Sequence, residues 1–205
     1  MNEIQSIITE RVDDIPLLLE QRQRMHLPVL MAQHFPTHGN WPGLSLGWVT
    51  TIGLSSILSR GDHRLVPVEP WVGTRLWTLR TATGQGVERR DFTDDRLAIV
   101  LRRLRDDTRW AALESALNQH TVRVSDLVTD RVHVDSTSAS ASVSVTEEGL
   151  VQFGHSQAHR PDLPQGKGMQ AVLDPLAMPV ATDVVAGARA DDPLYLPCLA
   201  RVHAS

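Results

Sequence analysis

The sequence predicts an α+β protein, helical up to about Leu127 and built from strands and a closing helix after it. Three observations carry this. Apolar residues recur at helical spacing through the first 130 positions. After about Asp126 the period changes to two. The last stretch, "ADDPLYLPCLARV", has a capping acid followed by Pro193, which is helix-start chemistry. The 205 residues suffice for one ordinary domain or two small ones. The division expected is a helical domain over 1–127 and a mixed domain over 128–205.

The helical elements follow in order. "DDIPLLLEQRQRM" begins with an acid pair and Pro16 in its first turn. "HLPVLMAQHF" follows and stops near Pro36, and "THGNWPG" is loop chemistry. Leu44 to Gly61 is apolar almost all round and ends at a glycine, which predicts a buried central helix. A weaker helix is expected from about Pro70 to Thr83. Thr93 is the expected N-cap of the next, with Asp94 and Asp95 where the helix dipole favours anions. Leu97, Val100, Leu101 and Leu104 fall on one face of it. Thr108 is expected to cap a further helix through Leu117.

The strands start with "RVHVDSTSASASVSV", Arg131 to Val145. Val132 and Val134 share one face, but beyond Ser136 serine takes the even positions and Ala139, Ala141, Val143 and Val145 take the odd ones. An apolar face that changes sides around Asp135 to Thr137 implies a bulge, or the end of a central strand there. "TEEGL" predicts a tight turn and "LVQFGH" a returning strand. "GMQAVLD" and "MPVATDVVAG" predict a second hairpin across Pro175, Leu176 and Ala177. In the closing helix, Pro197 is expected to introduce a kink.

Composition narrows the function classes. There are 20 basic and 24 acidic residues, so bulk charge does not attract nucleic acid. No apolar run reaches the length of a membrane span, and the N-terminus has no apolar signal core. With a single cysteine, Cys198, a cytoplasmic location is expected and no membrane partner. Two local features bear on chemistry. Arg102, Arg103, Arg105 and Arg109 form either a DNA-facing patch or a solvated face paired with Asp106 and Asp107. The loop "GHSQAHRPDLPQGKG" gathers His155, His159, Arg160 and Lys167, groups that contact phosphates. His155 and His159 are spaced as in some zinc sites, but Pro161 and Pro164 break a regular helix and no cysteine or acid completes a zinc set.

"HVDST" followed by "GHSQAHRPDLPQGKGMQAVLDPLAMPVATDVVAG" resembles the DDE transposases of bacterial insertion sequences. The subgroup carries "H-x-D-T-T" on its first strand and "G-[HY]-S-K-D-H-R-P-D-L-K-Q" before the next hairpin. The likeness covers Arg131 to about Val202, and "FTDDRLAIVLRRL" adds a looser one in the helical part. Ser136 stands where the family often has Thr, and Gln157 and Ala158 where Lys and Asp are common.

The resemblance implies the first strands and first helix of an RNase H-like core. It makes Asp135 the first of three catalytic carboxylates and a ligand of Mg²⁺ or Mn²⁺. It implies DNA at terminal inverted repeats as the partner of His155, His159, Arg160, Lys167, Arg102 and Arg103. The complete family reaction is DNA nicking at transposon ends followed by strand transfer. The second Asp and the Glu of the family pattern have no counterpart in these residues, so the chain is expected to be catalytically incomplete. The rival expectations are a truncated module that binds DNA ends, or pairs with an intact transposase and inhibits it, and a remnant without function; a homodimer or pairing with an intact transposase is the protein partner expected.

Overall fold

The computed structural model describes residues 7, 9–155 and 159–204, which form eight α-helices and one three-stranded antiparallel sheet. The chain is mixed α+β, as expected. It divides into two compact units, Met1–Leu113 and Glu114–Ser205. The division falls inside a helix, upstream of the Leu127 expected from the change of period.

The first unit holds α1 (Ile15–Arg24), α2 (Leu27–His34), α3 (Leu46–Arg60), α4 (Val68–Gly73), α5 (Leu76–Thr83) and α6 (Asp94–Leu104). Pro16 lies in the first turn of α1. Ser45 caps α3, its hydroxyl accepting from Trp48 N, and Gly61 ends it in the left-handed conformation. Leu46, Val49 and Ile52 of α3 are buried in this unit, as are Ile15, Leu19, Met31, Phe35, Val72 and Leu79. The helix is not buried all round, because Leu54 and Leu58 face solvent. Gly47 permits the α2–α3 approach: a Cβ there would lie 2.0 Å from Pro28 O. The single helix expected over Pro70–Thr83 is two, broken at Thr74 and Arg75. The Glu10 carboxylate supplies the cap that α5 lacks, accepting from Trp77 N at 2.9 Å and Thr78 N at 2.8 Å.

Thr93 caps α6 as expected, its hydroxyl accepting from Arg96 N. Leu97 and Val100 are buried, whereas Leu101 is 53% exposed, so the apolar stripe is narrower than the spacing suggested. The loop before α3 is fastened to the residues before α6. Asp91, 2% exposed, accepts from Leu44 N at 3.1 Å and Glu88 N at 3.0 Å. Arg96 donates to Pro42 O and Leu44 O and stacks on Trp41 at 4.5 Å from the ring centre. Gly43, at φ +70°, leaves room for that carboxylate, since a Cβ would fall 2.3 Å from Asp91 Oδ1.

α7 runs from Asp107 to Val124, longer than the Thr108–Leu117 expected. Asp106 rather than Thr108 caps it, its carboxylate accepting from Arg109 N. The second unit then contains β1 (Val132–Ser140), β2 (Gln165–Leu173), β3 (Met178–Ala186) and α8 (Tyr195–Ala204), with strand order β1-β2-β3. β1 pairs with β2 in one unbroken register from Val132↔Leu173 to Ser140↔Gln165. No bulge occurs at Asp135–Thr137. The irregularity lies instead between β2 and β3, at Ala171/Val172. "TEEGL" does form a turn, Gly149 N donating to Thr146 O. "LVQFGH" is not a strand; it contributes one bridge, Gln152↔Gln165. The hairpin across Pro175–Ala177 forms as expected.

Met169, Ala171, Leu173, Val180, Ala181 and Val185 are buried with Leu194 and Cys198 in the core of this unit. Burial pushes the Cys198 thiol above its ordinary range. Pro193 is the second residue of a short 3₁₀ turn, Asp192–Leu194, and Pro197 sits in the first turn of α8. A first-turn proline forfeits only an N–H that has no helical partner, so the expected kink has no cause there.

All five tryptophans lie in the first unit, so their fluorescence isolates its unfolding. Asp91→Ala strands the buried Leu44 N–H and the part-buried Glu88 N–H and is expected to lower stability by about 3 kcal/mol in urea unfolding followed by tryptophan emission. A change below about 0.5 kcal/mol would show that Asp91 does not hold the loop.

Candidate functional site

Alternation along β1 decides where the expected catalytic acid points. Side chains of a strand alternate between faces. In β1 the even positions face the core: Val132 and Val134 are half-buried and Ser136 is 7% exposed. The odd positions His133, Asp135, Thr137 and Ala139 are exposed. Asp135 is therefore on the open face of the sheet, opposite Gln170 of β2, which in turn pairs with Thr182 of β3. Its Oδ1 accepts from Ser136 N at 2.8 Å.

The other acids of the unit are placed elsewhere. Asp183 pairs with Met169, a core-facing residue, and lies 3.7 Å from Arg201. Glu114 accepts from Thr182 N at 2.8 Å and pairs with Arg201. Asp174 meets Arg131 at 3.2 Å and His133 at 3.7 Å, beyond the end of β2. Asp191 pairs with Lys167. Among the described residues no group of three or more His, Cys, Asp or Glu side chains is placed to hold a metal ion. One carboxylate with no companion does not fit Mg²⁺ or Mn²⁺, which need several oxygen ligands.

The expected phosphate contacts divide into committed and exposed groups. Lys167 is 3% exposed, on the inner face of β2. Its ammonium lies 2.6 Å from Asp191 Oδ1 and donates to Arg189 O at 2.7 Å. Arg160 makes a two-point contact with Asp162, at 2.8 and 2.7 Å, which holds that carboxyl below its usual range. His155 and His159 are exposed, and His159 has positive φ. Ser156, Gln157 and Ala158, which include two of the departures from the family string, lie outside the described residues. In the first unit Arg102 and Arg105 are exposed. Arg103 donates to Pro36 O and lies over the Trp41 ring, and Arg109 pairs with Asp106. The structure thus leaves His155, His159, Arg102 and Arg105 facing outward, in two different units.

Sequence reasoning missed the treatment of the sheet's two edges. The outer edge of β3 is closed by α7: Glu114 takes Thr182 N, and Asn118 Nδ2 donates to Val180 O. The outer edge of β1 has no such cover among the described backbone hydrogen bonds. Glu114 and Asn118 are four apart on one helix, a signal that exists in the sequence but names no strand as its target.

Comparison of this chain with family models, with curated proteins and with solved structures finds no match. Among the described residues no helix is long and apolar enough to cross a membrane.

Lys167→Met removes a buried cation and leaves Asp191 unpaired. It is expected to reduce hydrogen-exchange protection of the Met169 and Ala171 amides by about 2 kcal/mol. DNA affinity should change by less than about twofold, because the ammonium does not face solvent. A large loss of DNA affinity with protection unchanged would reverse the assignment.

Proposed function

We propose that the chain carries the opening strands of the catalytic core of a DDE-type insertion-sequence transposase, with Asp135 as the first of its carboxylates, and that it does not cleave DNA by itself. The "HVDST" and "GHSQAHRPDL" strings support the family reading. So does the element order: an acid-bearing first strand, an antiparallel pair and a helix, in a sheet of order β1-β2-β3.

The observation that carries the reading is the position of Asp135. It lies in the middle of an edge strand, on the face that α8 does not cover. Carboxylates that share a metal must come within a few ångströms of each other. A strand laid along the outer edge of β1 would bring a second acid beside Asp135. No described acid of this unit does so, and the metal chemistry of the complete family reaction is assigned to no residue set in this chain. What remains to this chain is DNA contact through His155, His159, Arg102 and Arg105. With a formal net charge of −4, such contact depends on local groups rather than on the field of the whole chain.

The test uses the full chain and Asp135→Ala. Calorimetry with Mn²⁺ is expected to show no binding tighter than about 1 mM in either, and supercoiled plasmid is expected to stay intact. Nicking abolished by Asp135→Ala would overturn the incomplete-site part of the proposal. The family part is tested with duplexes copied from any inverted repeats that flank the coding sequence. At about 150 mM salt the chain is expected to prefer them to scrambled duplex by about 10-fold or more. Equal binding would count against a transposase.

A further inference from the structure

The N-terminus of α5 holds a carboxylate that the chain itself supplies. Leu76, Trp77 and Thr78 open this helix, and its own N-cap residue, Arg75, makes no capping hydrogen bond. The first N–H groups of a helix have no partner within it, and the helix dipole places partial positive charge there. Glu10 reaches in from the segment before α1. Its Oε1 accepts from Trp77 N at 2.9 Å and its Oε2 from Thr78 N at 2.8 Å. Burial pushes the Glu10 carboxyl up, but the Thr78 and Trp77 N–H donors, with Arg75, outweigh it. The carboxyl therefore lies below its ordinary range. The same segment is tied a second time, Asp13 to Arg75 at 3.4 Å.

Glu10 does not satisfy every donor at this helix end. A carboxylate has two oxygens, and each is taken by one N–H. The Thr78 hydroxyl, on a residue 4% exposed, is close to the carboxylate but completes no hydrogen bond. Buried donors are almost always paired, so a third donor left over here calls for an acceptor. The cavity beside it has a volume of about 760 Å³, within the range of small-molecule sites. Val12, Leu76 and Trp77 give it apolar walls, Thr78 reaches into it, and Arg80 lines it with a cation. Trp77 is 67% exposed. Arg80 gives its Nε to Val87 O and makes no ion pair among the described residues.

We propose that this cavity binds a small phosphate monoester with an aromatic body, and that Glu10 occupies the phosphate position until the ligand displaces it. The donor count selects the chemistry. A phosphate monoester presents three terminal oxygens, one for each of Trp77 N, Thr78 N and Thr78 Oγ1. A carboxylate presents two, and so does the diester phosphate of a nucleic-acid backbone. Anions are favoured at a helix N-terminus whose N–H groups point at them. The aromatic body lies against the exposed Trp77 ring, and Arg80 offsets part of the dianion's charge. Glu10 is then an internal competitor. It lowers the apparent affinity by the fraction of molecules in which its carboxylate is seated. The proposal stands on the α5 terminus and its cavity, and is independent of the transposase reading.

Calorimetry of the full chain with phenyl phosphate tests it, with benzoate as the two-oxygen control. The parent is expected to bind phenyl phosphate with a Kd on the order of 1 mM. Glu10→Gln keeps the side-chain volume and one acceptor but removes the charge, and is expected to bind about 10-fold tighter. In that background Thr78→Val keeps the shape of the side chain and deletes the hydroxyl. It is expected to weaken phenyl phosphate about 10-fold and benzoate by less than about twofold, and Thr78→Ser to restore phenyl phosphate to within about threefold. Circular dichroism checks that the helices persist in each variant. Glu10→Gln that binds no tighter than the parent overturns the proposal. So does Thr78→Val that weakens both probes equally or neither. Displacement of phenyl phosphate by unphosphorylated duplex DNA, whose phosphates are all diesters, overturns it as well. Preference for inverted-repeat duplex is measured on the parent without these variants, so failure here and failure of the transposase reading are told apart.

Discussion

The unbroken pairing of β1 with β2 is the constraint on which the rest of the second unit depends. Nine consecutive pairs leave no residue over, so side chains must alternate strictly. That alternation sends Asp135 to the open face and Ser136 to the core. Through β2 it sends Lys167 inward together with Met169, Ala171 and Leu173. One residue of slip would exchange every one of these positions. It would expose the apolar face and place the carboxylate and imidazole of Asp135 and His133 under α8.

The inner face is graded rather than uniformly apolar. At one end Val132, Val134, Ala171 and Leu173 meet the core. At the other, Ser138 lies opposite Lys167 and Ser140 opposite Gln165. Gln165 is buried and its amide donates to His155 O. Small hydroxyl-bearing residues opposite a buried ammonium cost less than apolar ones there, because polar groups leaving water need polar neighbours. Within β1 this gradient accounts for serine at the even positions from Ser136 to Ser140. What reads as an apolar face changing sides is one face that turns polar where the lysine–aspartate pair is housed.

Much of the fold was legible for a physical reason: the signals were local. Thr93, Gly61 and Pro16 act through hydrogen bonds and dihedrals within a turn of their own positions, and they fall where a cap, a helix end and a first turn were expected. The hairpin at Pro175–Ala177 was legible in the same way. The errors came where distant residues decide. The break at Thr74 and Arg75 is followed by a cap from Glu10, more than sixty residues away in sequence. α7 runs on past Leu117 and carries the contacts to β3, a strand sixty residues further along the chain. "LVQFGH" has strand composition but forms a single bridge, because β2 takes β1 along one edge and β3 along the other. For the site, the sequence singled out Asp135 correctly as an acid within a strand, and its face is open. It could not tell that Lys167 and Arg160 are bound to Asp191 and Asp162, since a basic loop looks the same whether its charges face solvent or each other.

The hydrogen bond from Ser136 N to Asp135 joins the edge to the acid. While β1 is an edge strand, its outward N–H at Ser136 is held by the neighbouring carboxylate. A carboxylate folded onto its own backbone is also a weak barrier to a strand arriving there. Any strand that pairs along this edge takes that N–H for its own carbonyl, and Oδ1 loses its donor. Completing the sheet at β1 and releasing Asp135 Oδ1 from its own backbone are therefore one event. An acid at this position, poorly suited to a strand interior by propensity alone, is tolerated because it lies on the open face and its Oδ1 accepts from Ser136 N.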